Sequence, residues 1–187
     1  GVQVELFSAT PDLSTLQGNL RHLGQLLGAE AKAAQLFDSY QQQLSQQKAR
    51  VSKIQLEQQA PGVLLLVASS GGKPMVAGLG TSADWLVQQA SGRNLATHHG
   101  YKAFSVESLA SLNPEVLVFA DRALSGEEAR AALFRENPIL SSTRAARAGC
   151  VIELDPTLLV GGLGPRLPQS LVKLTAGFYP TEPAKAP

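Results

Sequence analysis

The chain has 187 residues, 44% of them hydrophobic and 17% charged, with a formal net charge of +1 at pH 7. That length and balance fit one well-buried globular domain with at most an appended helical element, and the near-neutral charge argues against nucleic acid or an anionic membrane as partner. The longest apolar run, residues 63–68, is far too short to span a bilayer, so no membrane insertion is expected, and the single cysteine, Cys150, allows neither an internal disulfide nor a thiolate cluster.

Residues 2–7 alternate apolar and polar side chains, the period of an edge or half-buried strand, and Pro11 and Asp12 end the pattern. Leu13, Leu16, Leu20, Leu23 and Leu27 then share one helical face, with Gly28 placed to end the helix. A second helix over about 29–54 carries a narrow apolar stripe of Ala33, Phe37, Tyr40, Leu44, Val51 and Ile54. Its glutamines, Gln41, Gln42, Gln43, Gln46 and Gln47, keep the helical register and read as a solvated face. At 1.5 Å per residue this helix is roughly 40 Å long, which suits either a rigid spacer or an amphipathic helix lying along one sheet.

The apolar runs at 63–68, 116–120 and 150–154 read as strands covered on both faces, with Cys150 a buried, inert strand residue. Between the first two, the short apolar run 74–77 leads into Gly78 and Gly80. Thr81 and Asp84 then complete a T-x-x-D capping pattern, which predicts a helix from Ser82 with Gly92 as its left-handed C-terminal cap. A polar loop follows with His98 and His99, two of the three histidines, and then Tyr101, before Ser105 caps another helix with Glu107 in its first turn. Helical segments at 82–91, 105–112 and 125–134 alternate with the strands. The fold class is therefore α/β, a three-layer lobe with a central, mostly parallel sheet flanked by helices, plus the long N-terminal helix. Pro165 opens a last helix through Leu167, Leu171 and Leu174, and the proline-rich residues 181–187 read as a disordered tail.

In an open sheet of this kind ligands collect beyond the carboxyl ends of the strands, which places residues 69–73, 121–125 and 155–166 at the site. In the third segment Leu158, Leu159, Val160 and Leu163 form an apolar run broken by Gly161, Gly162 and Gly164. Either the loop exposes this run to a flat, greasy ligand or the leucines tuck beneath the sheet edge. Gly164, Pro165 and Arg166 put backbone N–H groups and a guanidinium at a helix start, an anion site unless Arg166 pairs with a surface carboxylate, and Arg122 stands at a neighbouring strand end. His98 and His99 are the only adjacent pair of strong metal ligands. Neighbouring residues point differently, so at most one meets a given metal; Tyr101 is the rival donor and otherwise packs under the following helix. His22 is isolated and structural. The G-L-G-T-S-A turn at 78–83 matches a loose dinucleotide pattern, but no carboxylate stands about twenty residues on, and no G-x-S-x-G exists, so binding is expected rather than catalysis.

GLGTSADWLVQQASGRNLA, HHGYKAFSVESLASLNPEVLVFADRAL and IELDPTLLVGGLGPRLPQSL, preceded by the long helix, resemble the C-terminal lobe of periplasmic binding proteins that serve ABC importers of haem, vitamin B12 and ferric siderophores. The third stretch is the most specific to haemin importers. The resemblance implies that 1–28 is the edge of an N-terminal lobe, 29–57 a connecting spine helix, 58–180 the C-terminal ligand-binding lobe and 181–187 a tail. It implies a non-catalytic periplasmic carrier that takes haem as transported ligand and delivers it to the permease subunits of an ABC transporter. An iron-siderophore or cobalamin carrier of the same family is the alternative, and after it a nucleotide-binding α/β enzyme using the 78–83 turn. The implied ligand-binding residues are His98, His99, Tyr101, Arg122, Leu159, Leu163 and Arg166. His98 or His99 would meet the iron and Arg166 a propionate, while Glu107, in FSVESL, matches the position that docks on the transporter.

Overall fold

The computed structural model describes residues 4–68 and 74–180. The Asp12 carboxylate accepts the Thr15 amide at 2.7 Å, and the first helix, α1 (Leu13–Leu27), runs on until Gly28 turns left-handed at φ 62°. α2 (Glu30–Ile54) follows directly. Of the strand expected over 2–7, residues 2 and 3 lie outside the described residues, and residues 4–7 form no strand with any described residue, with Val4 and Leu6 exposed. Alternation of side chains makes a strand only where a neighbour satisfies the backbone groups.

The sheet is built from β1 (Gly62–Ala68), β2 (Met75–Ala77), β3 (Arg93–Asn94), β4 (Tyr101–Ala103), β5 (Val116–Asp121) and β6 (Val151–Glu153), in the order β4-β2-β1-β5-β6 with β3 also on β1. β1, β5 and β6 are parallel, whereas β2 runs antiparallel to both β1 and β4. β3 and β4 are additions to the expected pattern, and β4 begins at Tyr101, inside what reads as the polar loop. Val63, Leu65, Val118 and Ala120 face a layer formed by α2, α3 (Ser82–Gln89) and α7 (Leu167–Phe178). Leu64, Leu66, Leu117 and Phe119 face the opposite layer, where Leu109 of α4 (Val106–Ser111), Leu133 of α5 (Gly126–Glu136) and Ala145 of α6 (Arg144–Arg147) pack. This gives three layers, with both faces of the central strands dry.

Four local readings change. Gln47 leaves the solvated face because α7 packs across α2 there: it is 7% exposed and donates to the Thr175 hydroxyl at 2.6 Å. Ser91, at φ 58°, takes the left-handed position after α3 in place of Gly92. Gly92 is bare for a different reason, since a Cβ would lie 2.6 Å from the Phe178 ring and 2.7 Å from Val63. Pro165 lies outside α7, whose first turn holds Pro168. Cys150 stands one residue before β6 and is half-buried, and that burial pushes its thiol pKa up.

Tyr40 of α2 is 2% exposed and its hydroxyl has no hydrogen-bond partner among the described residues. Tyr40→Phe is expected to stabilise the fold by about 1 kcal/mol at neutral pH, since an unsatisfied buried group is removed and the ring kept. Burial also raises the phenol above its ordinary 10.0. The unfolded chain therefore ionises first, and stability present below that pH falls as pH rises above it. Urea melts of the two proteins should diverge further on the alkaline side, and parallel curves would show that Tyr40 is not ionising on unfolding.

Candidate functional site

The turn from β2 into α3 is assembled from its polar groups. Thr81 caps α3 by accepting the Asp84 amide at 3.1 Å and donates its own hydroxyl to the Gly78 carbonyl at 2.8 Å. The Asp84 carboxylate, 5% exposed, accepts from the Gly80 amide, the Gln88 side chain and the Asn94 side chain at 3.1, 2.9 and 3.0 Å. Asn94 donates as well to the Ala77 carbonyl, tying the turn to β3. Asp84→Ala leaves these donors without an acceptor and is expected to cost about 1–3 kcal/mol. A chemical-denaturation midpoint equal to wild type would show that water replaces the carboxylate.

The same turn is zipped to residues 98–100, with the Leu79 amide donating to the His98 carbonyl at 2.7 Å and the Gly78 amide to the Gly100 carbonyl at 2.8 Å. The two histidine rings diverge. His98 turns toward the layer carrying α4: its Nε2 donates to the Val76 carbonyl at 3.2 Å, its ring centroid lies 5.1 Å from that of Phe104, and its buried Nδ1 has no partner among the described residues. His99 is exposed. Tyr101 pairs with Ala77 across the β2–β4 ladder and so shares the face of α3, not that of α4, which corrects the reading that it packs under the following helix. Burial pushes the Tyr101 phenol pKa up, an effect that the Thr81 hydroxyl and the Arg122 charge partly offset. Among the described residues no three His, Cys, Asp or Glu side chains gather to hold a metal ion.

The carboxyl ends of the parallel strands β5 and β6 bring residues 121–125 and 155–166 to one edge; residues 69–73, after β1, lie outside the described residues. The Asp121 carboxylate accepts the Ala123 and Leu124 amides at 2.7 and 3.0 Å, which fixes the turn and leaves Arg122 exposed. Among the described residues Arg122 makes no ion pair. Arg166 is tied back: Nη1 stands 3.2 Å from Asp155 Oδ2, and Nη2 donates to the Thr157 hydroxyl at 2.7 Å. Hydrogen bonds from Thr157, then the Arg166 charge, hold the Asp155 carboxyl below its usual range. Arg166 also sits at the N-cap of α7 with a helical backbone and no side-chain cap, so the guanidinium is both carboxylate-paired and exposed at a helix start. In the apolar run only Val160 is exposed; Leu159 is half-buried, and Leu158 and Leu163 belong to the core, tucked beneath the sheet edge. Sequence reasoning missed Asn94, ten residues from Asp84, and the approach of Ala9 to Gly162; neither contact has a local signal.

A family model for periplasmic binding proteins matches residues 1–158. A periplasmic haem-binding protein from Pseudomonas aeruginosa is similar at 51% identity and a TM-score of 0.94, over 100% of this chain and 67% of its own. HutB, a periplasmic haem-binding protein of Vibrio cholerae, is 25% identical over 96% of this chain and 69% of its own, with a TM-score of 0.79. BhuT, a periplasmic haem-binding protein whose structure holds two haems, is 28% identical over 90% of this chain and 63% of its own, with a TM-score of 0.75. This chain thus spans about two thirds of the length of each. No curated protein matches it. With a family model covering most of its length, and a relative of the same fold sharing half its residues, the chain belongs to the periplasmic binding protein family.

Proposed function

We propose that this chain is the substrate-binding component of a haem import system, holding haem in a cleft in the periplasm and delivering it to membrane permease subunits without turning it over. The observation that carries the reading is the 51% identity to a periplasmic haem-binding protein along the whole chain. The strand-end chemistry supports it. Arg122 is an exposed cation with no ion pair among the described residues and is suited to a propionate, whereas Arg166, on the neighbouring strand-end loop, would have to exchange Asp155 for one; exposed Val160 and half-buried Leu159 offer apolar surface to a porphyrin face. His99 and Tyr101 are the donors within reach of solvent, and His98 backs them. In this reading residues 1–28 belong with an N-terminal lobe, 29–57 are the connecting spine and 58–180 form the C-terminal lobe. Haemin titration tests it: a saturable Soret shift is expected. Stabilisation by cobalamin, a ferric siderophore or a nucleotide, with no response to haemin, would overturn it.

Glu107 is exposed in the first turn of α4, which Ser105 caps through the Ser108 amide. We assign it to docking on the permease, where a rim charge governs encounter more than folding. Glu107→Ala is expected to leave haemin affinity and melting temperature nearly unchanged while lowering transporter ATPase stimulation in a salt-sensitive way. Normal stimulation, with stability down by about 0.3–1 kcal/mol, would reduce Glu107 to a helix-dipole residue.

A further inference from the structure

Gly162 is buried and left-handed at φ 82°, and a Cβ there would lie 2.9 Å from the Ala9 carbonyl oxygen and 3.1 Å from the Ala9 Cα. Those are backbone atoms, which cannot swing aside as the end of a side chain does. Ala9 itself is held by α1: the Ser8 carbonyl accepts from Asn19 Nδ2 at 2.8 Å, the Ser8 and Thr10 hydroxyls are 3.1 Å apart, and Asp12 caps the helix. The exposed run that precedes α1 therefore lies against the loop that carries Leu159, Val160 and Arg166.

We propose that residues 8–10 are the seat of the ligand loop 155–166, with Gly162 as the positioning residue and the Ala9 backbone as its stop. The inference rests on the haem reading of this site. Where the loop stands against a ligand is then set by α1 and not by the sheet alone. Any side chain at 162 must lift the loop or push the seat away, and either change moves Val160 and Arg166 together.

The test compares haemin affinity and dissociation rate in wild type, Gly162→Ala, Gly149→Ala and Asn19→Ala. Gly149 is also left-handed, at φ 69°, but lies at the opposite end of β6, so its alanine variant carries the same backbone strain without touching the seat. Gly162→Ala is expected to weaken haemin about tenfold, and Gly149→Ala, which carries the backbone strain alone, to leave affinity unchanged while lowering the melting temperature less. Asn19→Ala frees the Ser8 carbonyl and is expected to speed haemin dissociation about threefold with little change in melting temperature. Equal affinities in the two glycine variants, or an unchanged dissociation rate in Asn19→Ala, would overturn the proposal; should Gly162→Ala fail to fold, Asn19→Ala decides alone. If wild type does not bind haemin, the haem reading fails by itself. The seat is then judged by amide hydrogen exchange at residues 159–163, which Asn19→Ala must accelerate for the proposal to stand.

Discussion

Gly78→Ala is expected to lower the unfolding free energy by about 3–5 kcal/mol. A Cβ at this position would run into the His98 carbonyl oxygen and would stand 2.8 Å from Nε2 and Cδ2 of the His98 ring. The ring cannot yield, since its Nε2 is bonded to the Val76 carbonyl and it packs on Phe104. The loop must therefore part from the turn, giving up the backbone bonds Leu79 to His98, Gly78 to Gly100 and Gly100 to Leu79. Each such bond contributes about 1 kcal/mol, and overpacking a tight site adds about 1–3 kcal/mol. Gly18 provides the comparison, because it lies within α1 with nothing near its missing Cβ, so alanine there is expected to stabilise by up to about 1 kcal/mol. Equal urea midpoints for the two variants would show that the 78–81 turn does not depend on a bare backbone. Since His99 and Tyr101 hang on the displaced loop, Gly78→Ala should weaken haemin binding too.

Haemin affinity is expected to fall at least about a hundredfold, with a shifted Soret band, when the protein loses His99 and the Tyr101 hydroxyl together, because removing even the second-shell support of a metal ligand commonly costs about 10–100-fold. The single variants His99→Ala and Tyr101→Phe then apportion the loss. His98→Ala should change stability and not the spectrum, as that ring is committed to Val76 and Phe104. The pH dependence separates the two donors. Burial holds the Tyr101 phenol protonated beyond its ordinary range, so binding through phenolate releases a proton and affinity must rise with pH, by about tenfold per unit while the free phenol stays protonated. A Tyr101→Phe variant that keeps both the slope and the spectrum removes Tyr101 from the ligand set. If the double variant binds like wild type, neither His99 nor Tyr101 holds the iron.

Much of the fold was legible because its signals are local. Asp12 and Thr81 cap helices through their own side chains, Gly28 ends α1 with a backbone few other residues adopt, and continuous runs such as Leu64, Leu65 and Leu66 can be satisfied only between two layers. Those features follow from neighbours within a few residues, which is why the α/β class, the two long N-terminal helices and the three main strands were readable without coordinates. The candidate site was legible only as a set of segments, since the carboxyl ends of parallel strands must share an edge whichever side chains they carry.

What tertiary structure decided is which groups meet. Residues 4–7 have the alternation of a strand but no partner strand among the described residues, while Tyr101–Ala103, with three residues and no such pattern, becomes β4 because β2 offers an edge. Gln47 is buried because α7 crosses α2 at Thr175, and Arg166 binds Asp155 because the loop folds back over eleven residues. His98 and His99 are chemically identical neighbours, yet one ring is spent on the Val76 carbonyl and the other is exposed. Sequence by itself determined the helices and the three main strands, because helix caps and apolar periods act over one or two turns. The direction of each side chain at the site was left to packing, because the carbonyl, ring or carboxylate that claims it lies on another element.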